Sequence, residues 1–342
     1  MRLKRLINHL TVLLAGILML QFSGCDLRPT VMGYQHRIFV VADSTLWASI
    51  GKQVTDAFEH IIYTPHTETT FNVTPISLDK LNEFKTRMNV FLIGVEKPES
   101  EMTKYLEKSL PETFKKGVDS GEYFYMFASD MYAKGQINLI MFAPDEAAFL
   151  KNLDKFKDVV YRTFEKKYYA RLKKDMFEKG EQTDLEDYLA EHFGWKVRMQ
   201  HDYFIAIQDV DNKYVWLRRM YPDRWLSVWE TPEDSSVFNL KGLVKIRNAM
   251  TRKYYEGDYV VDEDLQIDTV DFNGQRALKM QGVWRNDSLL VGGPFHMYAL
   301  VDPLKSRTFF IDLAVMAPGK FKKPYLDQLE VIAHTFEIVD KK

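Results

Sequence analysis

The stretch LQIDTVDF-NG-QRALKMQGVW, residues 265–284, carries the strongest local indication of fold in the chain. Asn273-Gly274 is a pair favoured in two-residue type I′ turns, where both positions need a positive φ. The flanking segments Leu265–Phe272 and Gln275–Trp284 have the composition and length of strands. The stretch therefore predicts an antiparallel β-hairpin.

The segments around this hairpin predict more strands and two helices. Downstream, His296–Asp302 and Arg307–Ala317 form a second predicted hairpin, and the helix Tyr325–Phe336 follows it. Upstream, the helix Leu240–Tyr254 has apolar residues at steps of three and four. Four shorter strands precede it: Lys196–Met199, Tyr203–Gln208, Tyr214–Arg218 and Trp225–Glu230. Successive hairpins flanked by helices indicate an α+β unit with a mainly antiparallel sheet.

The first half of the chain predicts a second α+β unit. A helix with one apolar face covers residues 46–61, and a long helix runs from about Asp145 to Phe177. The predicted strands are Arg37–Ala42, Asn89–Val95, Tyr123–Phe127 and Ile137–Phe142. The Gly- and charge-rich segment Lys179–Thr183 marks a boundary. We expect two domains, residues 36–180 and 181–342, each with a mainly antiparallel sheet and flanking helices.

The first 24 residues have the pattern of an export signal. A short basic start precedes the apolar run Leu10–Leu20 and the small pair Ser23-Gly24. Cys25, the only cysteine of the chain, follows at once, as in a bacterial lipobox whose thiol is acylated. An ordinary transmembrane anchor and a plain cleaved signal are the alternatives. We expect a signal peptide over residues 1–24, lipidation of Cys25 and a tether over residues 25–35.

Charge excludes nucleic acid as a partner. The chain has 46 basic and 48 acidic residues. Removing residues 1–24 takes away three basic residues, which leaves 43 against 48 and a net charge of −5. Such a balance does not suit a polyanionic partner. We expect acylated Cys25 to anchor the protein to a bilayer of the cell envelope, with the folded part facing the periplasm. The sequence does not distinguish the inner from the outer membrane.

The sequence predicts no catalytic residue, no cofactor and no metal site, and leaves enzymatic activity open. It contains neither a nucleophile elbow nor a phosphate-binding loop. His60 and His66, with Glu68 nearby, come closest to a metal-binding cluster, and a polar loop is the alternative. The acidic run at residues 262–264 fits a solvated turn, with calcium ligation as the second reading.

Aromatic residues give the one candidate binding surface. Trp216, Tyr221, Trp225 and Trp229 lie within a short stretch, and Trp225 and Trp229 share one face of a strand because they are four residues apart. An open face of this kind stacks on sugar rings or anchors a partner protein. A closed face is simply part of the hydrophobic core. Both readings remain open in the sequence.

Several motifs together resemble an uncharacterised lipoprotein family of Bacteroidetes-type bacteria, a domain of unknown function (DUF4837-like). The motifs are residues 38–47 (IFVVADSTLW), 89–92 (NVFL), 214–217 (YVWL), 282–285 (GVWR), 292–295 (GGPF), 317–323 (APGKFKK) and 328–330 (QLE). The resemblance implies a lipid-anchored protein and names no site. The region after Gly194 also weakly resembles the sandwich of PsbP-like proteins, an analogy of fold.

These observations favour a membrane-anchored envelope lipoprotein that acts as a non-enzymatic binding or assembly factor. The alternative is a carbohydrate-binding or carbohydrate-processing lipoprotein that uses the aromatic residues between Tyr214 and Trp229. An envelope protein or a glycan is the expected partner. The two readings differ in one observable, the exposure of Trp225 and Trp229.

Overall fold

The computed structural model describes residues 27–62, 64–302 and 304–339, in which the chain forms eight helices and seventeen strands. The helices are α1 (Ser44–Phe58), α2 (Leu81–Phe84), α3 (Glu101–Ser109), α4 (Glu112–Asp119), α5 (Glu146–Phe177), α6 (Thr183–Phe193), α7 (Leu240–Tyr254) and α8 (Lys323–Ala333). The strands are β1 (Arg37–Val41), β2 (Ile61–Ile62), β3 (Glu68–Thr69), β4 (Asn72–Ile76), β5 (Asn89–Lys97), β6 (Tyr125–Ser129), β7 (Ile137–Asp145), β8 (Trp195–Lys196), β9 (Phe204–Asp209), β10 (Tyr214–Arg219), β11 (Asp223–Pro232), β12 (Tyr259–Val260), β13 (Gln266–Phe272), β14 (Gln275–Asn286), β15 (Val291–Asp302), β16 (Arg307–Met316) and β17 (Glu337–Ile338).

The hairpin predicted from residues 265–284 is confirmed. Strands β13 and β14 pair antiparallel, with Phe272 opposite Gln275. Asn273 and Gly274 have φ angles of 55° and 82°, the two positive values that a type I′ turn needs. This hairpin belongs to an eight-stranded sheet whose main path is β12-β14-β15-β16-β11-β10-β9. All neighbours in it are antiparallel, so the prediction for the C-terminal unit is correct.

The N-terminal sheet differs from the predicted one. Its order is β4-β1-β5-β7-β6, and only β6 runs antiparallel to its neighbour. The expectation of a mainly antiparallel sheet is therefore wrong for this unit, although the α+β class is confirmed. The physical reason lies in α3 and α4, which the sequence pattern did not reveal. They cover the second face of the sheet, and parallel strands need such crossover helices and burial on both faces.

The two units share one hydrophobic core. Helix α5 packs on β7 in the N-terminal sheet and on α8, which in turn packs on β16 and β11 of the C-terminal sheet. One cluster of buried side chains runs through all these layers, from Phe91 through Phe164 and Leu329 to Ile311. The far faces are covered separately, by α3 and α4 on one sheet and by α7 on the other. The contact between α5 and α8 thus forms the seam between the units.

The chain joins the folded body earlier than the predicted tether allows. The backbone N–H of Lys134 donates to the carbonyl of Pro29 over 2.8 Å, and the N–H of Met32 donates to that of Thr86 over 3.0 Å. The expected tether over residues 25–35 is therefore too long, because residues from Pro29 onward are already paired. The predicted signal peptide and Cys25 lie outside the described residues. None of the helices in the described ranges is long and apolar enough to cross a membrane.

Candidate functional site

A polar cleft opens at the seam between the two units. Helices α5 and α8 form one wall, and strands β14 and β15 form the other. The cleft comprises two cavities, which we call the upper cavity (about 240 Å³) and the lower cavity (about 460 Å³). Both cavities are lined by Tyr169, Lys279 and His296. We call this feature the interdomain cleft.

At the centre of the cleft, one buried carboxylate organises three side chains. Glu330 of α8 is buried and accepts hydrogen bonds from the Lys279 ammonium over 2.9 Å and from the Tyr298 hydroxyl over 2.6 Å. Its Oε1 atom also contacts Nδ1 of His296. Because β14 and β15 are neighbouring strands and both residues point to one face, Lys279 and Tyr298 reach the same carboxylate.

The neighbouring charges and the burial of Glu330 and His296 determine the protonation states of these two side chains. Burial alone would raise the pKa of Glu330, but the adjacent Lys279 and His296 hold that pKa well below its usual range. Burial and then the positive charge of Lys279 lower the pKa of His296, so its ring is neutral at pH 7. A neutral ring facing a carboxylate carries its proton on Nδ1, which leaves the Nε2 lone pair without a hydrogen-bond donor among the described residues.

A second buried carboxylate lies one helical turn away. Asp327 accepts from the hydroxyls of Tyr168 over 2.6 Å and Tyr169 over 2.8 Å, and it pairs with the ammonium of Lys323. Burial and the negative charge of Asp327 raise the pKa values of both tyrosines well above the ordinary value, so both remain hydroxyl donors. The carboxylate of Glu68 reaches across from the N-terminal unit to the first backbone N–H groups of α8, at 2.9 and 3.0 Å. These contacts fix α8 against α5.

The cleft has an excess of negative charge at its mouth. Both lysines that line the upper cavity, Lys279 and Lys323, are already paired with buried carboxylates, and Lys173 lines the lower cavity. Glu165 of α5 and Asp264 before β13 line the same cavity, and neither forms an ion pair within the described part of the chain. Burial raises the pKa of Glu165, an effect that the hydroxyl of Tyr161, donating over 3.2 Å, opposes. A cationic group is the natural complement of this mouth.

The described residues contain no group of three or more histidine, cysteine, aspartate or glutamate side chains arranged to hold a metal ion. The cluster suggested by His60, His66 and Glu68 does not form. Glu68 is buried and engaged with the N-terminus of α8. The ring of His60 instead packs on Tyr161, with centroids 4.3 Å apart.

The predicted aromatic binding surface does not exist. Trp225 and Trp229 are only 5% and 2% exposed, because they lie on the face of β11 that α7 and its neighbours cover. Trp216 is half-buried and packs on Tyr255 at 4.7 Å between centroids. Tyr221 is 89% exposed, at the turn after β10. The core reading is correct, and the carbohydrate reading that relied on these side chains loses its basis.

Sequence reasoning missed the residues that form the cleft. Asp264 was part of an acidic run interpreted as a solvated turn. Glu330 and Asp327 occupy positions next to the apolar stripe of α8, and their spacing of three places both on one side of the helix. That spacing is the only available signal, and it is equally typical of a solvated face. Only the packing of α8 on the C-terminal sheet brings His296 to Glu330.

Two models of protein families each match one part of the chain. Residues 182–335 match a domain of unknown function, DUF4837. This C-terminal part of the chain is therefore similar to DUF4837 domains. Residues 31–177 match a second domain of unknown function, DUF8532. The resemblance to an uncharacterised, DUF4837-like family is thereby confirmed, and the lipoprotein character, the bacterial group and the PsbP analogy stay predictions. The comparison with curated proteins gave no match.

Solved structures show only distant similarity to this chain. The Saccharomyces cerevisiae Ran-binding protein Mog1p matches at 12% identity, with 43% of this chain and 91% of that chain covered and a TM-score of 0.32. LpqN of Mycobacterium tuberculosis, a protein involved in cell envelope biogenesis, matches at 11% identity, with coverage of 43% and 83% and a TM-score of 0.28. A Bacteroides thetaiotaomicron protein matches at 9% identity and a TM-score of 0.27; 43% of this chain aligns, and the match spans 46% of that protein's length.

Proposed function

We propose that this protein is a membrane-anchored envelope lipoprotein that binds, without chemical turnover, a ligand carrying an amine or guanidinium group in the interdomain cleft. The anchor rests on Cys25 at the end of an export signal. The ligand class rests on one observation: Glu165 and Asp264 line the upper cavity without an ion pair among the described residues, while both lysines of that cavity are already paired with buried carboxylates.

The remaining groups of the cleft suit recognition of such a ligand. The free Nε2 of neutral His296 accepts a hydrogen bond from an ammonium or guanidinium N–H. Gln266 and Gln281 line the same cavity and offer amide oxygens. A charge-assisted hydrogen bond is stronger than a neutral one, and burial of the cleft reduces competition from water. Two carboxylates and a neutral imidazole thus give a cation several acceptors at once.

Hydrolysis is a second candidate, favoured by the contact of His296 with Glu330. A histidine whose Nδ1 faces a carboxylate has the arrangement of a general base, and His296 lines the upper cavity. The described lining of the upper cavity contains no serine or cysteine, and the hydroxyl of Thr70 in that lining donates to the carbonyl of Phe58, so a water molecule would be the nucleophile. Loss of turnover in His296→Ala with unchanged ligand affinity would support this candidate over simple binding.

The anchor is tested by fractionation of cells that express the full chain. Cys25→Ser should release the protein into the soluble fraction or leave it unprocessed, because no thiol remains to be acylated. Incorporation of labelled palmitate should disappear in the same variant. A Cys25→Ser protein that stays in the membrane at its mature size would overturn the lipoprotein assignment.

The ligand class is tested by calorimetric titration with arginine, lysine and spermidine against uncharged analogues of equal size. We expect binding of the cationic series and about a tenfold loss in Glu165→Gln, since one charge-assisted hydrogen bond contributes about 1.5 kcal/mol. Glu107→Gln, on the exposed side of α3, is the matched control and should bind as the wild type does. Equal affinity for charged and uncharged compounds would contradict the proposal.

A further inference from the structure

One end of the C-terminal sheet collects exposed apolar side chains. Four features lie side by side at this end: the turn between β14 and β15, the end of β16, the turn between β10 and β11, and the start of β9. The strand register shows this, because Asn286 pairs with Val291, Asp223 with Met316 and Arg218 with Phe204. Large apolar side chains that remain exposed at this end are Phe204, Met220, Tyr221, Leu289, Leu290 and Phe321. We call these six residues the apolar rim.

The rim extends over several strands and is concentrated at one end. From β14 to β9 the sheet has six strands in order. At about 4.8 Å between neighbours, the rim is about 24 Å long. The opposite end of the same strands exposes Val210 and Leu304. An asymmetric apolar edge of this size is typical of an interaction surface, because scattered exposed residues would not share one edge.

The rim is continuous with the place where the chain enters the folded body. Phe321 stacks on His36, with centroids 5.7 Å apart, and His36 contacts Tyr34 at 5.8 Å. Tyr34 and Met32 are exposed, and Leu27 is almost fully so. From Phe321 an exposed apolar track therefore leads towards the N-terminus along the edge where β1, β5 and β7 begin.

Geometry limits the distance between this face and an acylated Cys25. The backbone is fixed from Pro29, which is only four residues after Cys25. Four residues span at most about 14 Å when fully extended. The body is thus held within a short reach of the bilayer, with the face next to Pro29 and Tyr34 closest to it.

Charge at this face suits an anionic lipid surface. Arg37, Lys320 and Arg285 are exposed there. A groove of about 690 Å³ between Tyr34, Arg37, Lys320 and Phe321 has no aspartate or glutamate in its described lining. Basic side chains beside exposed aromatic and aliphatic ones are typical of proteins that lie at a membrane interface. The whole mature chain is acidic, so this local excess is not a consequence of composition.

The carboxylates of the rim are largely engaged. Asp223 pairs with Arg218 at 2.9 Å, and Asp202 pairs with Arg219. Asp287, which is exposed, accepts a hydrogen bond from a tyrosine hydroxyl over 3.0 Å. The two ion pairs reduce the repulsion that free carboxylates would have with anionic headgroups.

We infer that the apolar rim and the neighbouring Tyr34 edge are the membrane-facing surface, which lies in the headgroup region of an anionic bilayer and orients the interdomain cleft relative to it. The inference rests on the anchoring proposed above. It adds a fixed orientation: the body does not rotate freely on its anchor, since two points of attachment, the lipid and the rim, lie on one face.

Fluorescence of a membrane-bound label tests the orientation. The full chain with Phe321→Cys is labelled with the environment-sensitive fluorophore NBD; the Cys25 thiol is blocked by acylation. The protein is placed on phosphatidylcholine–phosphatidylglycerol vesicles that contain a nitroxide-bearing lipid. Leu304→Cys is the matched control, because Leu304 lies beyond the other end of the ten-residue strand β16. The length of β16 separates position 304 from position 321 by about 30 Å. Leu290→Cys provides a second position on the rim.

The label at positions 321 and 290 should lose most of its emission to the nitroxide lipid, whereas the label at 304 should keep its emission. If the protein floats with the vesicles and all three labels respond equally, the orientation is overturned and the anchoring stands. If the acylation-competent protein does not float with the vesicles, the anchoring itself fails, and the orientation fails with it.

Discussion

Replacement of Glu330 by glutamine tests the buried centre of the interdomain cleft. The carboxylate accepts from Lys279 and Tyr298 and contacts His296, and all three lose a charged partner in Glu330→Gln. Breaking a buried pair by removing one partner costs about 3–5 kcal/mol. The side chain of Lys279 is 19% exposed and regains some hydration, so we expect the free energy of unfolding to fall by about 3 kcal/mol.

Urea denaturation followed by circular dichroism measures this loss. Glu107→Gln, an exposed carboxylate that forms no ion pair in the described part of the chain, is the control and should change the free energy of unfolding by less than about 0.5 kcal/mol. The pH dependence gives a second readout. Because the folded pKa of Glu330 is below its unfolded value, its stabilisation is full above about pH 4.3 and is lost as the pH falls through the folded pKa. The gap between wild type and variant should therefore narrow in acid. Equal stability of Glu330→Gln and wild type at pH 7 would refute the proposed network.

Two further changes test the core of the C-terminal unit. Asp312→Asn leaves the buried guanidinium of Arg247 without its charged partner, which lies at 2.7 Å. The free energy of unfolding, measured by urea titration, should fall by about 3–5 kcal/mol. A loss below about 1 kcal/mol would contradict the pairing. Gly293→Ala places a Cβ 1.8 Å from the backbone oxygen of Val315, so β15 must move away from β16 and the melting temperature should drop by several degrees. Gly274→Ala is the contrasting control. Nothing lies within 4 Å of its added Cβ, so this variant is strained only through its φ of 82°.

The parts of the fold that depend on local sequence were predictable. Asn273-Gly274 dictates a turn by its φ preferences, and the helical spacing from Phe149 to Leu172 predicts α5, which spans Glu146–Phe177. The direction of strands in the N-terminal sheet was not predictable in the same way. It depends on how the chain crosses between strands, and the helices Glu101–Ser109 and Glu112–Asp119 that make one crossover are only nine and eight residues long, too short for a sustained helical period in the sequence.

The candidate site was beyond local prediction for a related reason. Glu165, His296 and Glu330 come from widely separated positions, and only tertiary packing of α5, α8 and β15 brings them together. The aromatic cluster shows the opposite case. Trp225 and Trp229 share a strand face as the period of two requires, but whether that face is open depends on α7, which covers it.

Cation binding in the interdomain cleft as a function of pH tests the central claim most directly. Burial raises the pKa of Glu165, and a cation binds its ionised form better. Affinity for the tightest cationic ligand should therefore increase as the pH rises through that pKa, and Glu165→Gln should reduce this increase to the part that deprotonation of His296 contributes, while Glu107→Gln retains it in full. A pH profile that is flat in the wild type, or unchanged in Glu165→Gln, would contradict the account.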